Sequence, residues 1–332
     1  MPSLRDFFCR AGERPFTRRR ARLGFVAGLA GLTVLALFAA ETAGAANDAP
    51  QPQAVRAKYA PFLPVVSSEG ELAVYEGDPD LPVVDCASLP AERTMVALVF
   101  GQSNASNTVD TGYDAVKPVY AFSDGSCRRV RDAIPGATGA KGSSWARLGD
   151  RVVASGLYDA VVFVDIARGG SSVLHWSRGG QFHDLLTGSL DALAARGLPA
   201  THVLFHQGEA DCAMGLSRQE YGAVLAELLG DVRAHAGPRA DIFVSRASLF
   251  LDPACGDRGN PGCYRSCPAV TAAQTEAADP ERRIFAGPNT DLLVPWFDRS
   301  DGYHFTSRAA DRFAAAWMPL LARGDAPQRQ IR

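Results

Sequence analysis

The sequence contains no Gly-x-Ser-x-Gly segment, no internal repeat, no standard zinc spacing among its cysteines and no basic stripe. Without Gly-x-Ser-x-Gly, the nucleophile elbow of the common α/β-hydrolases is excluded. Without repeats, a stacked-repeat architecture is excluded. A net charge of −2, from 34 Lys and Arg against 36 Asp and Glu, argues against nucleic acid as a partner. His206 and Glu209 could form a metal pair, but no further cluster lies near them, so no metal and no organic cofactor is expected. What remains is ordinary for a soluble domain, with 47% hydrophobic and 21% charged residues. The 332 residues can bury one large core or two small ones.

Long uncharged runs are scarce. The exception is Leu23 to Ala40, an uncharged stretch of 18 residues that follows seven arginines and precedes Ala43-Gly44-Ala45. A basic segment, an apolar run and a small-x-small site in that order form a secretory signal peptide. An uncleaved anchor through residues 23–40 is the second reading, because such a run can just span a bilayer. Either way the remainder is exported, periplasmic or secreted. Removal of residues 1–46 takes away seven arginines against Asp6, Glu13 and Glu41, which leaves a more acidic protein.

Outside that segment there are six cysteines, at 86, 127, 212, 255, 263 and 267. An even number in an exported chain implies disulfides, but six cysteines allow many pairings. Cys255, Cys263 and Cys267 crowd one Gly/Pro/Asn-rich stretch, which reads as a stapled loop.

Residues 47–92 are rich in Pro, Ala and acidic residues and read as a tether and an irregular cap. Strand and helix patterns alternate through residues 93–323, and residues 324–332 form a polar tail. Apolar runs at Thr94–Phe100, Ala160–Ile166, His202–Phe205, Asp241–Val244 and Arg283–Ala286 predict strands. Helical spacing predicts helices at Ser144–Ala154, around Phe182–Leu193, around Tyr221–Val232, at Val270–Ala278 and from Thr306. This alternation implies a central parallel sheet covered by helices on both faces, with ligands at the carboxyl ends of the strands.

The candidate site residues fall just after those strands. Gly101-Gln102-Ser103-Asn104 places a hydroxyl on the turn after the first strand. Arg168-Gly169-Gly170-Ser171-Ser172 follows the second, and a glycine there can bring a backbone N–H close to a developing oxyanion. His206-Gln207-Gly208-Glu209 follows the third, and the Gln207 amide is a further candidate donor. Asp301 stands three residues before His304, so that a carboxylate can orient an imidazole. A serine alkoxide needs such a base, and the base needs an acceptor to fix its tautomer. A histidine base also implies activity that rises with pH as the ring loses its proton.

Together these four segments resemble the blocks of the SGNH hydrolase superfamily. More narrowly they are similar to its sialate O-acetylesterase-like branch, which includes carbohydrate esterase family 6. The resemblance covers residues 94–323 and implies a three-layer α/β/α sandwich of flavodoxin-like type. It implies Ser103 as nucleophile, His304 as base and an oxyanion hole from Ser103, Gly169 or Gly170, and Gln207. It leaves Asp301 and Glu209 both standing as the partner of the base. Ala105 and Phe205 depart from the branch, where Met and Trp or Tyr are common.

The expected activity is hydrolysis of O-acetyl esters on carbohydrates through an acyl-enzyme. Gln102, Asn104, Arg168 and Trp176, with Trp145 and Arg178, are candidates for the pocket wall. The rival readings are an acyltransferase, a lipase or thioesterase on the same fold, and a glycan-binding module without catalysis.

Overall fold

The computed structural model describes residues 49–63 and 73–322. The predicted signal or anchor over residues 1–46 and the tail at 324–332 lie outside the described residues. No helix among the described residues is long and apolar enough to cross a membrane.

Eight strands form one mixed sheet in the order β1-β4-β3-β5-β2-β6-β7-β10. These are β1 (Val83–Val84), β2 (Thr94–Gly101), β3 (Val119–Ser123), β4 (Ser126–Arg129), β5 (Ala160–Asp165), β6 (His202–His206), β7 (Asp241–Arg246) and β10 (Ile284–Asn289). A separate two-stranded hairpin joins β8 (Phe250–Leu251) to β9 (Tyr264–Arg265). From β3 to β10 every neighbour in the large sheet is parallel, and β4 and β1 are added antiparallel at one edge.

The central strand β2 shows why the sheet is covered twice. All eight of its residues are buried. Val96, Leu98 and Phe100 join one core, and Met95, Ala97 and Val99 join the other. Successive side chains of a strand point to opposite faces, so an unbroken apolar run requires apolar partners on both.

One layer contains α1 (Pro52–Tyr59), α3 (Val173–Trp176), α4 (His183–Ala195), α6 (Arg218–Ala236) and α7 (Pro268–Glu276). The other contains α2 (Trp145–Ala154) and α9 (Ser307–Leu321). Two short helices, α5 (Glu209–Met214) and α8 (Thr290–Leu293), follow β6 and β10. The result is a three-layer α/β/α sandwich. Helix α6 starts at a capping box in which Ser217 and Glu220 satisfy each other's backbone N–H groups, and its Tyr221, Val224, Leu225, Leu228, Leu229 and Val232 are buried.

One expectation is corrected. Residues 47–92 are not merely tether and irregular cap. From Pro52 the chain folds as α1, with Val55 buried in the core and Arg56 paired to Glu227 at 2.6 Å. Val83–Val84 then pairs with β4, and Cys86 bonds to Cys127. The expected central parallel sheet is extended at one edge, where β3 and β4 form a hairpin. Its turn is Asp124-Gly125, both with positive φ (49° and 79°), the conformation a two-residue hairpin turn requires.

Among the described residues three disulfides occur: Cys86–Cys127, Cys212–Cys267 and Cys255–Cys263. The stapled loop is therefore closed on itself by one bridge, while Cys267 ties α5 to the start of α7. Such bridges belong to a chain that folds in an oxidising compartment. Replacing Cys212 and Cys267 together by serine, which opens a bridge of sequence separation 55, is expected to cost about 2–5 kcal/mol in denaturant unfolding.

Candidate active site

Strand β2 ends at Gly101, whose φ is 133° and whose added Cβ would stand 2.0 Å from the His206 carbonyl oxygen. The neighbouring end of β6 is thus close enough that the Gln102 N–H donates to the same carbonyl (3.1 Å). Only glycine fits. Gly101→Ala is expected to lower Tm by about 10 °C or more, or to prevent soluble folding, as read by thermal melting.

Past Gly101 the chain turns through one 3-10 turn, Ser103–Ala105. The Ser103 carbonyl accepts from the Ser106 N–H (2.9 Å), the Ser106 hydroxyl (2.8 Å) and the Thr108 hydroxyl (2.6 Å). The serine backbone is pinned, whereas its own hydroxyl makes no hydrogen bond among the described residues.

Asp301 and His304 lie on a tight hairpin. Its ends are joined by the Thr306 N–H to the Asp298 carbonyl (3.0 Å) and the Ser300 N–H to the His304 carbonyl (2.8 Å). Asp298 anchors it to α9 through Arg308 and Arg312. Inside the hairpin, Asp301 Oδ1 accepts from the N–H groups of Tyr303 (2.9 Å) and His304 (2.8 Å), and Oδ2 meets His304 Nδ1 at 2.6 Å. A carboxylate accepts only, so Nδ1 carries a hydrogen and Nε2 is the ring nitrogen that Asp301 leaves open. Burial opposes ionisation of Asp301, but the hydrogen bond and charge of His304 and the two backbone N–H groups hold its carboxyl well below the usual range.

Ser103 and His304 line the same cavity, of about 320 Å³, together with Gln102, Asn104, Gly170, Glu209 and Tyr303. Its apolar wall consists of Ala210, Ala213, Leu249, Phe250 and Pro253. No hydrogen bond joins Ser103 to His304 among the described residues. A second cleft, of about 300 Å³, lies between residues 76–81 and the β3–β4 hairpin and contains none of the expected site residues. Among the described residues no group of three or more His, Cys, Asp or Glu could hold a metal ion.

Four of the expected roles are corrected by this geometry. The Gln207 side chain is fully buried, and its amide donates to Gln102 Oε1 (3.2 Å), the Ser171 carbonyl (3.0 Å) and Asp211. It joins loops and is not free to meet an oxyanion. The Gly169 N–H donates to the Thr138 hydroxyl (2.9 Å), which leaves Gly170 as the glycine that lines the cavity. Trp176 is fully buried against Phe100 and Phe182, with Nε1 donating to Ser171 Oγ (2.8 Å). Arg168 holds the carbonyls of Gly136 (2.6 Å), Ile166 and Ala167 and caps no part of the cavity. Trp145 is likewise buried, and Arg178 pairs with Asp231.

Gln102 and Asn104 do reach the cavity, as supports. Gln102 Oε1 accepts from the N–H groups of Gly208 (3.3 Å) and Ala210 (3.2 Å), which fixes the loop leading to Glu209. Asn104 donates to Glu209 Oε1 (2.9 Å) and to the Tyr303 carbonyl (3.3 Å), and it accepts from the Phe305 N–H (3.3 Å). Asp211, buried and pushed up to about 6 by desolvation despite bonds from Ser172 and Gln207, ties the start of α3 to α5. Sequence reasoning missed Tyr303 and the wall at Leu249–Pro253. The signal available was position: Leu249 and Phe250 follow the carboxyl end of β7, as every other site loop follows its strand.

Residues 143–247 match the family model described as carbohydrate esterase, sialic acid-specific acetylesterase. Over those residues, about a third of the chain, it is similar to carbohydrate esterases of the sialic acid-specific acetylesterase type. The match takes in Gly170, Gln207 and Glu209 but stops short of Ser103 on one side and of the Asp301–His304 hairpin on the other. The match points to a carboxylic ester hydrolase, carried here on the three-layer α/β/α sandwich described above. No curated protein matches the chain. Among solved structures, a protein from Arabidopsis thaliana is 15% identical with a TM-score of 0.49, covering 70% of this chain and 98% of that one. A carbohydrate acetylesterase from Xanthomonas citri is 17% identical with a TM-score of 0.45, covering 69% of this chain and 56% of that one. A GDSL-like lipase from Parabacteroides merdae is 13% identical with a TM-score of 0.45, covering 70% and 98%.

Proposed function

We propose that this esterase removes O-acetyl groups from carbohydrates by a Ser103–His304–Asp301 mechanism. The observation that carries the reading is the 2.6 Å contact of Asp301 with His304 Nδ1, on a hairpin that lines the same cavity as Ser103. His304 Nε2 takes the Ser103 proton as Oγ attacks the ester carbonyl, and the tetrahedral oxyanion collapses to expel the sugar alcohol, which receives that proton. Water, deprotonated by the same nitrogen, then releases acetate from the acyl-serine. The N–H groups of Ser103 and Gly170 make no hydrogen bond among the described residues and are the candidate oxyanion donors. The proposed Ser103–His304 hydrogen bond would form as substrate binds between them.

The family match supports an acetylated carbohydrate as substrate. The test is acetate release by the purified domain from a panel of O-acetylated glycans, including O-acetylated sialic acid and xylan. Release from at least one glycan, faster than from longer acyl esters, is the expected result. A preference for long acyl chains would replace the reading with that of a lipase. Export is part of the proposal, supported by the three disulfides. Intact mass of the secreted protein should show loss of residues 1–46; retention of the whole chain would mean an anchor.

A further inference from the structure

Glu209 is the acidic residue in the cavity lining, and this mechanism does not use it. It is 6% exposed and lines the cavity with Ser103 and His304. The sequence allowed it to orient the histidine, but Asp301 occupies His304 Nδ1. One Glu209 oxygen accepts from Asn104 (2.9 Å), and the other is buried with no partner among the described residues. Arg299, a buried cation whose charge Glu209 influences, makes no ion pair with it among the described residues; its Nη1 donates to the Tyr303 carbonyl (2.8 Å).

A carboxylate can accept about four hydrogen bonds, and this one receives a single bond among the described residues. A buried acceptor left short of donors destabilises a fold, so its presence at a cavity wall calls for a ligand that brings one. Hydroxyl groups are the donors an acetylated sugar carries. Asn104, which holds Glu209, is the residue next to Ser103, so the donor must lie close to the reacting ester.

We propose that Glu209 accepts a hydrogen bond from a free sugar hydroxyl neighbouring the acetylated oxygen, and thereby selects which acetyl position is cleaved. This rests on the hydrolase reading above. It makes Glu209 a specificity-determining residue and not the partner of the base.

The test compares the wild type with Glu209→Gln on three esters: a methyl glycoside monoacetate with a free adjacent hydroxyl, its deoxy counterpart, and an aryl acetate. In the variant, the Asn104 donor holds the new amide oxygen and turns the amide nitrogen to the place of the unpartnered oxygen, so an acceptor becomes a donor. For the wild type, loss of the hydroxyl is expected to lower kcat/KM by about 10- to 100-fold. For the variant, the same loss should cost less than about 3-fold. The proposal is overturned if the wild type is indifferent to the hydroxyl, a result that does not depend on the variant folding. It is equally overturned if the variant discriminates as the wild type does while all three esters slow together, which would place Glu209 behind His304. If no ester is cleaved, or Ser103→Ala cleaves them as fast as the wild type, the hydrolase reading falls first and this inference with it.

Discussion

Ser103→Ala is expected to reduce kcat on an aryl acetate by about 10⁵-fold or more, while Tm shifts by less than about 2 °C. The first half follows from the chemistry. No acyl-enzyme can form without the Oγ, and what remains is binding plus oxyanion stabilisation of direct attack by water. The second half follows from the packing. The hydroxyl makes no hydrogen bond among the described residues, whereas the Ser103 carbonyl, which alanine retains, takes three. Nearby hydroxyls cannot substitute: Ser106 donates to the Ser103 carbonyl and Ser171 to the Gly101 carbonyl (3.1 Å), both facing backbone. Steady-state kinetics and a melting curve on one preparation decide it. Activity near wild type would displace Ser103 as nucleophile.

Asp301→Asn is expected to lower kcat by about 10³- to 10⁴-fold, with the hairpin intact. Asparagine keeps an oxygen for the Tyr303 and His304 N–H groups but presents an NH₂ to Nδ1. The imidazole then accepts at Nδ1 and carries its hydrogen on Nε2, where a base is needed. The same substitution changes the response to acid. The Asp301 carboxyl lies below its unfolded value, so its contribution to stability is present above about pH 4 and lost as pH falls toward the folded value. The variant lacks that contribution, and its stability should fall less steeply than that of the wild type between pH 5 and pH 2.5. Denaturant melts at those two pH values measure the difference. A kcat within 10-fold of wild type would remove Asp301 from the mechanism.

The elements buried on both faces were the legible ones. Thr94–Gly101 and Ala160–Asp165 are apolar runs because two layers cover them, and such runs need no partner to be recognised. The β3–β4 hairpin was not read, because Ser126-Cys-Arg-Arg is a polar edge strand with little apolar pattern, although Asp124-Gly125 carried a turn signal. Helix α1 escaped for a related reason: Val55 and Tyr59 are its only buried residues, and its docking depends on ionic contacts with α6. In the candidate site, Ser103, Asp301 and His304 each stand in a local motif, and the structure brings those motifs to one cavity. Gln207 and Trp176 were misplaced because an amide and an indole look alike in sequence whether they face a ligand or a neighbour. Their partners, Asp211 and Ser171, are chosen by the packing of three loops.

Two of the three sulfur bridges bracket the side of the cavity formed by Glu209 and Leu249–Pro253 and leave Ser103 and His304 untouched. Cys212–Cys267 restrains the helix that begins at Glu209, and Cys255–Cys263 closes the loop that continues from Leu249, Phe250 and Pro253. Ser103 and His304 rest on the sheet rim and on a hairpin clamped by arginines. A molecule folded with its thiols unjoined would therefore keep its reacting groups while its substrate-facing wall slackened. On the proposed reading, such a molecule is expected to lose its discernment between esters before it loses its speed, which would make the redox state in which the chain matures a determinant of what it cuts.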